Sequence, residues 1–173
     1  MVTPSSSDAF GVFGIPRRFA IDPDELERRF RELSRQHHPD RFATAPAADR
    51  VRALRQATAL NDAYRTLKVP TARAQHLLAL AGMPIGDKDE IPHDFLLEIL
   101  EKRETLAEAR VAADQGTIDS LHREIAERAT ESLAAVDAAF AAEPPDLGAA
   151  KAALLQLRYF DRFLAEAEGR DQD

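Results

Sequence analysis

The chain has 173 residues, 31% of them charged, with a formal net charge of -7 and no cysteine. Without thiols it forms no disulfide, no thiolate zinc site and no cysteine-ligated iron-sulfur cluster. No apolar run approaches the roughly 18 residues of a membrane span, and residues 1-7 lack a signal-peptide core, so the chain is expected to stay in the cytoplasm with no membrane partner.

Residues 8-15 form a short turn-like run, with Phe10 and Phe13 on one side and Gly14 suited to a C-terminal cap. It is too short to stand alone. Asp22-Pro23-Asp24-Glu25 then reads as a helix start: Asp22 is the N-cap, Pro23 takes the first helical position and Glu25 closes a capping box. At about 100° per residue, Leu26, Phe30, Leu33 and His37 share one face of this helix. Arg28, Arg31 and Arg35 share the opposite face. Taken alone, such a cationic strip is most often a solvated surface.

The strip leads into His38-Pro39-Asp40. Proline lacks a backbone donor and pushes the preceding residue out of the helical region, so the helix ends at Gln36 or His37 and the tripeptide stands on a loop. A bare tripeptide could equally be a helix stop with Asp40 starting a turn. A second long helix follows over residues 47-68, with Leu54, Ala57, Asn61, Tyr64 and Leu67 at helical spacing. Residues 10-15, the basic helix, His38-Pro39-Asp40 and Leu60-Asn61-Asp62-Ala63-Tyr64-Arg65-Thr66-Leu67 fall in order, and together they resemble a J domain.

A helix of about residues 71-81 precedes Gly82-Met83-Pro84-Ile85-Gly86-Asp87, where glycine and proline interrupt the periodicity. The domains expected are residues 1-81, a linker at 82-92 and a second domain at 93-173. Charge divides with them. Residues 1-80 hold 13 basic and 9 acidic residues, a net of +4, whereas residues 81-173 hold 10 and 21, a net of -11. A basic half steers toward acidic surfaces and an acidic half toward basic ones.

Three helical segments fill the second domain, at about 93-113, 117-142 and 146-167, and their short connections favour an antiparallel three-helix bundle. The inward stripe of the first is Phe95, Ile99, Leu106, Ala109 and Ala113; that of the second is Ile118, Leu121, Ile125, Ala129, Val136 and Phe140. Leu147, Leu154, Leu157 and Leu164 define one side of the third, leaving Leu155, Tyr159 and Phe163 on another. Leu96, Leu97 and Leu100 lie off the first inward stripe, in line with Glu101, Glu104 and Glu108. By pattern alone, this second stripe is as well explained by burial against a neighbouring element as by an exposed docking face.

Pro70-Thr71-Ala72-Arg73-Ala74-Gln75-His76-Leu77-Leu78, Gly82, Phe95-Leu96-Leu97-Glu98 and Leu157-Arg158-Tyr159-Phe160-Asp161 resemble the HscB family, the J-type co-chaperones of bacterial iron-sulfur cluster assembly. The similarity spans nearly the whole chain. Arg41 stands where many members carry lysine, and the amino-terminal cysteine extension of the eukaryotic relatives is absent. The resemblance implies an all-α protein, with an amino-terminal J domain and a carboxy-terminal three-helix bundle, that is not itself an enzyme. It implies that His38, Pro39 and Asp40, with Arg28, Arg31 and Arg35, dock on a heat-shock chaperone ATPase of the HscA type. It also implies that Leu96, Leu97, Leu100, Glu101, Glu104, Glu108 and Tyr159 bind an iron-sulfur scaffold protein of the IscU type, with leucine at 97 and tyrosine at 159 replacing methionine and phenylalanine. No cofactor or metal follows from it, since another protein must hold the cluster.

Two other classes fit less well. A metal hydrolase built on His37, His38 and Asp40 fails because His37 points to the core face and His76, His93 and His122 are scattered singly. A nucleic-acid binder using the arginines of residues 28-35 and 50-55 conflicts with the overall acidity and the lack of interleaved aromatics, so no nucleic-acid partner is expected.

Overall fold

The computed structural model describes residues 8-86 and 89-169, which contain seven α-helices and no strand. In order they are α1 (Ala9–Phe13), α2 (Pro23–Gln36), α3 (Ala47–Lys68), α4 (Pro70–Leu80), α5 (His93–Val111), α6 (Gln115–Ala141) and α7 (Leu147–Ala167), with a one-turn 3-10 helix at Pro39–Phe42 between α2 and α3. The chain divides into two compact units, Met1–Leu77 and Leu78–Asp173.

In the amino-terminal unit, α1 is held at both ends. The Asp8 carboxylate accepts from the backbone N–H groups of Phe10 and Gly11 at 2.9 and 3.0 Å, and Gly14 closes the helix at φ 62, a conformation that disfavours side chains with a Cβ. Phe10 and Phe13 can then pack beside Leu26 of α2 and Leu60, Ala63 and Leu67 of α3. The two long helices run antiparallel: Phe30 stacks on Tyr64 at 4.1 Å, and the Tyr64 hydroxyl donates to Glu27. At the corner between α3 and α4, buried Arg73 donates to the Leu67 carbonyl at 2.8 Å and lies over the Phe19 ring.

Two local expectations need correction. Asp22 caps α2, accepting from the N–H groups of Asp24 and Glu25, but Glu25 closes no capping box, because its carboxylate is taken by Arg28 and Arg29. Guanidinium partners one turn away outcompete a single backbone N–H. On α3 the buried stripe is Ala53, Leu60, Ala63 and Leu67, while Leu54 is 58% exposed and Asn61 is also exposed. Ala63 packs with Phe10, Phe13 and Leu26, and Ala53 is buried on the same side of α3, so this side faces inward and Leu54 turns outward.

In the carboxy-terminal unit, α5 runs antiparallel to α6, with Glu98 bonded to Arg128 and Lys102 to Glu124. It runs parallel to α7, where Phe95 meets Tyr159 and Phe160 at one end and Arg103 meets Glu166 further along. Phe95, Ile99, Leu106, Leu121, Ile125, Phe160 and Phe163 form the core. Asp114 and Asp146 cap α6 and α7. Before α5, Lys151 of α7 clasps the approaching chain, donating to the Pro84 carbonyl at 3.1 Å and pairing with Asp89 at 2.6 Å.

Here too the stripes differ in places. Ala113 is exposed at φ 54, because α5 stops at Val111. Leu155 and Phe163 are buried, so the side of α7 left over by the leucine count is largely interior. A helix flanked by α5, α6 and the preceding chain is covered on more than one face.

Candidate functional site

The His38-Pro39-Asp40 loop is built by the end of α2. His37 leaves the helix with its N–H still bonded to the Leu33 carbonyl, His38 takes an extended conformation, and the chain tightens into the 3-10 turn at Pro39. The Asp40 backbone N–H donates to His38 Nδ1 at 3.3 Å, tying the ring to its own turn. The Asp40 side chain is 89% exposed, with its carboxylate 3.5 Å from the same Nδ1. Beside the loop a recess of about 380 Å³ is lined by Ser34, His38, Leu54, Ala57, Thr58 and Asn61. Leu54 and Asn61, placed by their spacing in the core stripe, belong to this recess instead.

The arginine strip is only partly available. Arg28 lies 2.6 Å from Glu25 and 3.7 Å from Glu32, and Arg31 lies 2.8 Å from Glu27. Arg35, nearest the loop, has no acidic partner among the described residues. Nor does Arg41, whose guanidinium reaches back to the Arg35 carbonyl at 3.5 Å. The uncompensated positive charge therefore concentrates where α2 meets the loop. Arg41 was visible in the sequence as a basic residue beside the tripeptide, but its equivalence to Arg35 needed the turn geometry.

The second candidate surface is on α5. Leu97 is 45% exposed and Leu100 54%, with Glu101, Glu104 and Glu108 exposed on the same outward face. No cation pairs with these three carboxylates among the described residues. Glu98 lies elsewhere on the helix, held by Arg128. Leu96 is half-buried against the bundle core, and so is Tyr159, whose ring meets Phe95 edge-on at 5.9 Å. The seven residues thus divide into an outward group of five on α5 and a flank, Leu96 and Tyr159, that also serves the core.

Among the described residues no three His, Asp or Glu side chains gather as metal ligands, and no helix is long and apolar enough to cross a membrane.

Residues 91-168 match the family model described as the HSCB C-terminal oligomerisation domain. Over 133 residues the chain is 38% identical to the co-chaperone protein HscB homolog of Azoarcus sp. (strain BH72), covering 76% of this chain and 75% of that protein. Chaperone HscB from Vibrio cholerae superposes with a TM-score of 0.81 at 33% identity, covering 94% of this chain and 96% of that one. The human co-chaperone protein HscB superposes with a TM-score of 0.86 at 29% identity, covering 99% and 86%.

Proposed function

With this chain a member of the HscB family of co-chaperones, which are not enzymes, we propose that it couples a specialised heat-shock chaperone of the HscA type to an iron-sulfur scaffold protein of the IscU type. The amino-terminal unit acts as the J domain. His38, Pro39 and Asp40, flanked by Arg35 and Arg41, dock on the chaperone's ATPase domain and accelerate its hydrolysis of ATP. Asp40 offers a solvated carboxylate to a partner arginine, and the fixed φ of Pro39 holds it in a set direction from His38. Arg28 and Arg31 contribute by exchanging their intrahelical carboxylates for acidic groups of the chaperone. Proton transfer and phosphate cleavage stay on the chaperone. The work occurs in the cytoplasm.

The α5 face carries the client. Leu97 and Leu100 supply apolar contact, Leu96 and Tyr159 the flank, and Glu101, Glu104 and Glu108 a set of carboxylates for a basic patch on the scaffold. The observation that supports this reading most is the pair of exposed leucines beside three carboxylates that have no partner among the described residues, on a helix whose Phe95, Ile99 and Leu106 are buried in the bundle. Single-turnover ATP hydrolysis by the HscA-type chaperone, alone, with this protein, and with this protein plus scaffold, tests it. Stimulation should require His38, and the scaffold should raise it further. Stimulation that scaffold leaves unchanged would assign the co-chaperone to another client, and no stimulation at all would remove the J-domain role.

A further inference from the structure

A recess on α7 extends the α5 face onto a second helix. Its volume is about 210 Å³, and Ile91, Leu155, Tyr159, Arg158, Arg162 and Asp89 line it. Small-molecule pockets run to about 300-1,000 Å³, so this space suits a single side chain. The floor is apolar, with Leu155 buried and Ile91 and Tyr159 half-buried. The rim is cationic. Arg158 and Arg162, one turn apart on α7, are exposed, and neither forms an ion pair among the described residues. Asp89, the one acid among the described residues lining the recess, is already engaged: Lys151 lies 2.6 Å away and the Gly86 N–H donates to it at 2.7 Å. These contacts hold its carboxyl below the usual range, with Arg158 adding a weaker through-space attraction. Among the described residues nothing takes up the donors of the two guanidinium groups.

The recess is continuous with the α5 surface. Tyr159 lines the one and flanks the other, and Ile91 and Leu96 pack against the same core cluster. At about 100° per residue, Leu96, Leu100, Leu97 and Glu101 follow one another around α5, moving away from the α7 side. That side is marked by Arg103 and Arg110, which both reach Glu166. Counted from Leu96, Glu104 and Glu108 fall at about 80° and about 120°, beside Leu97 but two and three turns farther along α5, so the surface runs from an acidic C-terminal part of α5 through the leucines near its start to Tyr159 and the basic edge.

We propose that Arg158 and Arg162 form the cationic edge of the scaffold-binding surface and receive a carboxylate side chain of the scaffold protein. This inference rests on the reading of α5 given above. A guanidinium fork matches a carboxylate in two hydrogen bonds, and a partially apolar recess strengthens them. A surface acidic at one edge and basic at the other accepts a partner in a single orientation, since the reversed pose would set like charges together.

The test is calorimetric titration of the full chain with purified IscU-type scaffold from the same organism, at low and high ionic strength. Arg158→Glu/Arg162→Glu should weaken binding about tenfold or more at low ionic strength, with the deficit shrinking as salt rises. The sign is informative, because this half of the chain is strongly acidic. If the scaffold presented only basic groups here, two added carboxylates would tighten binding instead. Affinity unchanged or improved at low ionic strength overturns the proposal. Arg158→Gln/Arg162→Gln, which removes charge without reversing it, should lose less affinity and carries the measurement if the reversed pair folds poorly. Leu97→Ala/Leu100→Ala separates this inference from its premise. Loss of scaffold in the leucine variant with retention in the arginine variants leaves the α5 reading standing and sinks this one, while retention in both sinks the two together.

Discussion

His38 and Asp8 show how differently two polar side chains can depend on the fold. His38 projects from a loop and holds one N–H of its own turn, so His38→Gln should leave the thermal melt nearly unchanged, within about 0.5 kcal/mol, while removing stimulation of chaperone ATP hydrolysis in single-turnover assays. Asp8 is buried at the head of α1. Burial alone would raise its carboxyl pKa, but the Gly11 N–H and Arg17 outweigh it and hold the pKa below 3.8. A group depressed on folding contributes stability that is complete above its unfolded value and is lost as pH falls below about 4 toward the folded pKa. Asp8→Asn should therefore cost about 1-3 kcal/mol at neutral pH and flatten the acid side of the unfolding curve, measured by melts from about pH 7 down to about pH 3. Asp22, Pro23 and Gly14 were legible in the sequence because cap chemistry is decided within a turn. The true partners of Glu25 were not, since three donors compete for one carboxylate. Nor was the bond from Tyr64 to Glu27, which crosses 37 positions of chain.

Among the helices, α5 carries the clearest division of labour. Phe95, Ile99 and Leu106 are buried, so truncating any of them leaves a cavity costing about 2-5 kcal/mol. Leu97 and Leu100 are exposed, and Leu97→Ala/Leu100→Ala should hold the wild-type melting temperature within a few degrees while weakening scaffold binding by about tenfold or more in calorimetry. Leu96 and Tyr159 are poorer probes, because alanine there would disturb core and surface together. On α5 periodicity separated the buried Phe95, Ile99, Leu106 and Ala109 from the exposed Leu97 and Leu100 because that helix buries one stripe, but it set Ala113, which lies past the helix end, inward and the half-buried Leu96 outward. It failed on α7, where Leu155 and Phe163 are interior, because a helix covered from several directions has no single polar side to read. It failed differently on α3: two alanines outranked Leu54 for the core, and a count of apolar residues weighs size where close approach rewards smallness.

For the whole molecule, the positive net charge of residues 1-80 and the negative net charge of residues 81-173 agree with the two proposed surfaces, one on each unit. If both must act from one chain, mixing the His38→Gln protein with the Leu97→Ala/Leu100→Ala protein should fail to restore scaffold-enhanced ATP hydrolysis, although the first still binds scaffold and the second still stimulates the chaperone alone. Recovery in the mixture would mean that delivery needs no covalent connection. The order of helices was readable in the sequence, and the residues proposed for each surface could be named from it because each set lies within one or two elements. The α7 recess was not, since it is assembled from α7 and the chain leading into α5.

The spacing of Glu101, Glu104 and Glu108 has a cost for the free protein. Like charges three and four residues apart on one helix destabilise it by about 0.2-0.5 kcal/mol per pair, and no cation among the described residues relieves them. Salt screens that repulsion, and under the proposed function it also screens the attraction of these carboxylates for a basic scaffold surface. The unbound co-chaperone should therefore melt higher as sodium chloride is added, while its complex with scaffold dissociates more readily. Glu104→Gln should reproduce both effects without salt, a higher melting temperature and a weaker complex, as expected if α5 is most frustrated when empty and relaxes on the proposed client.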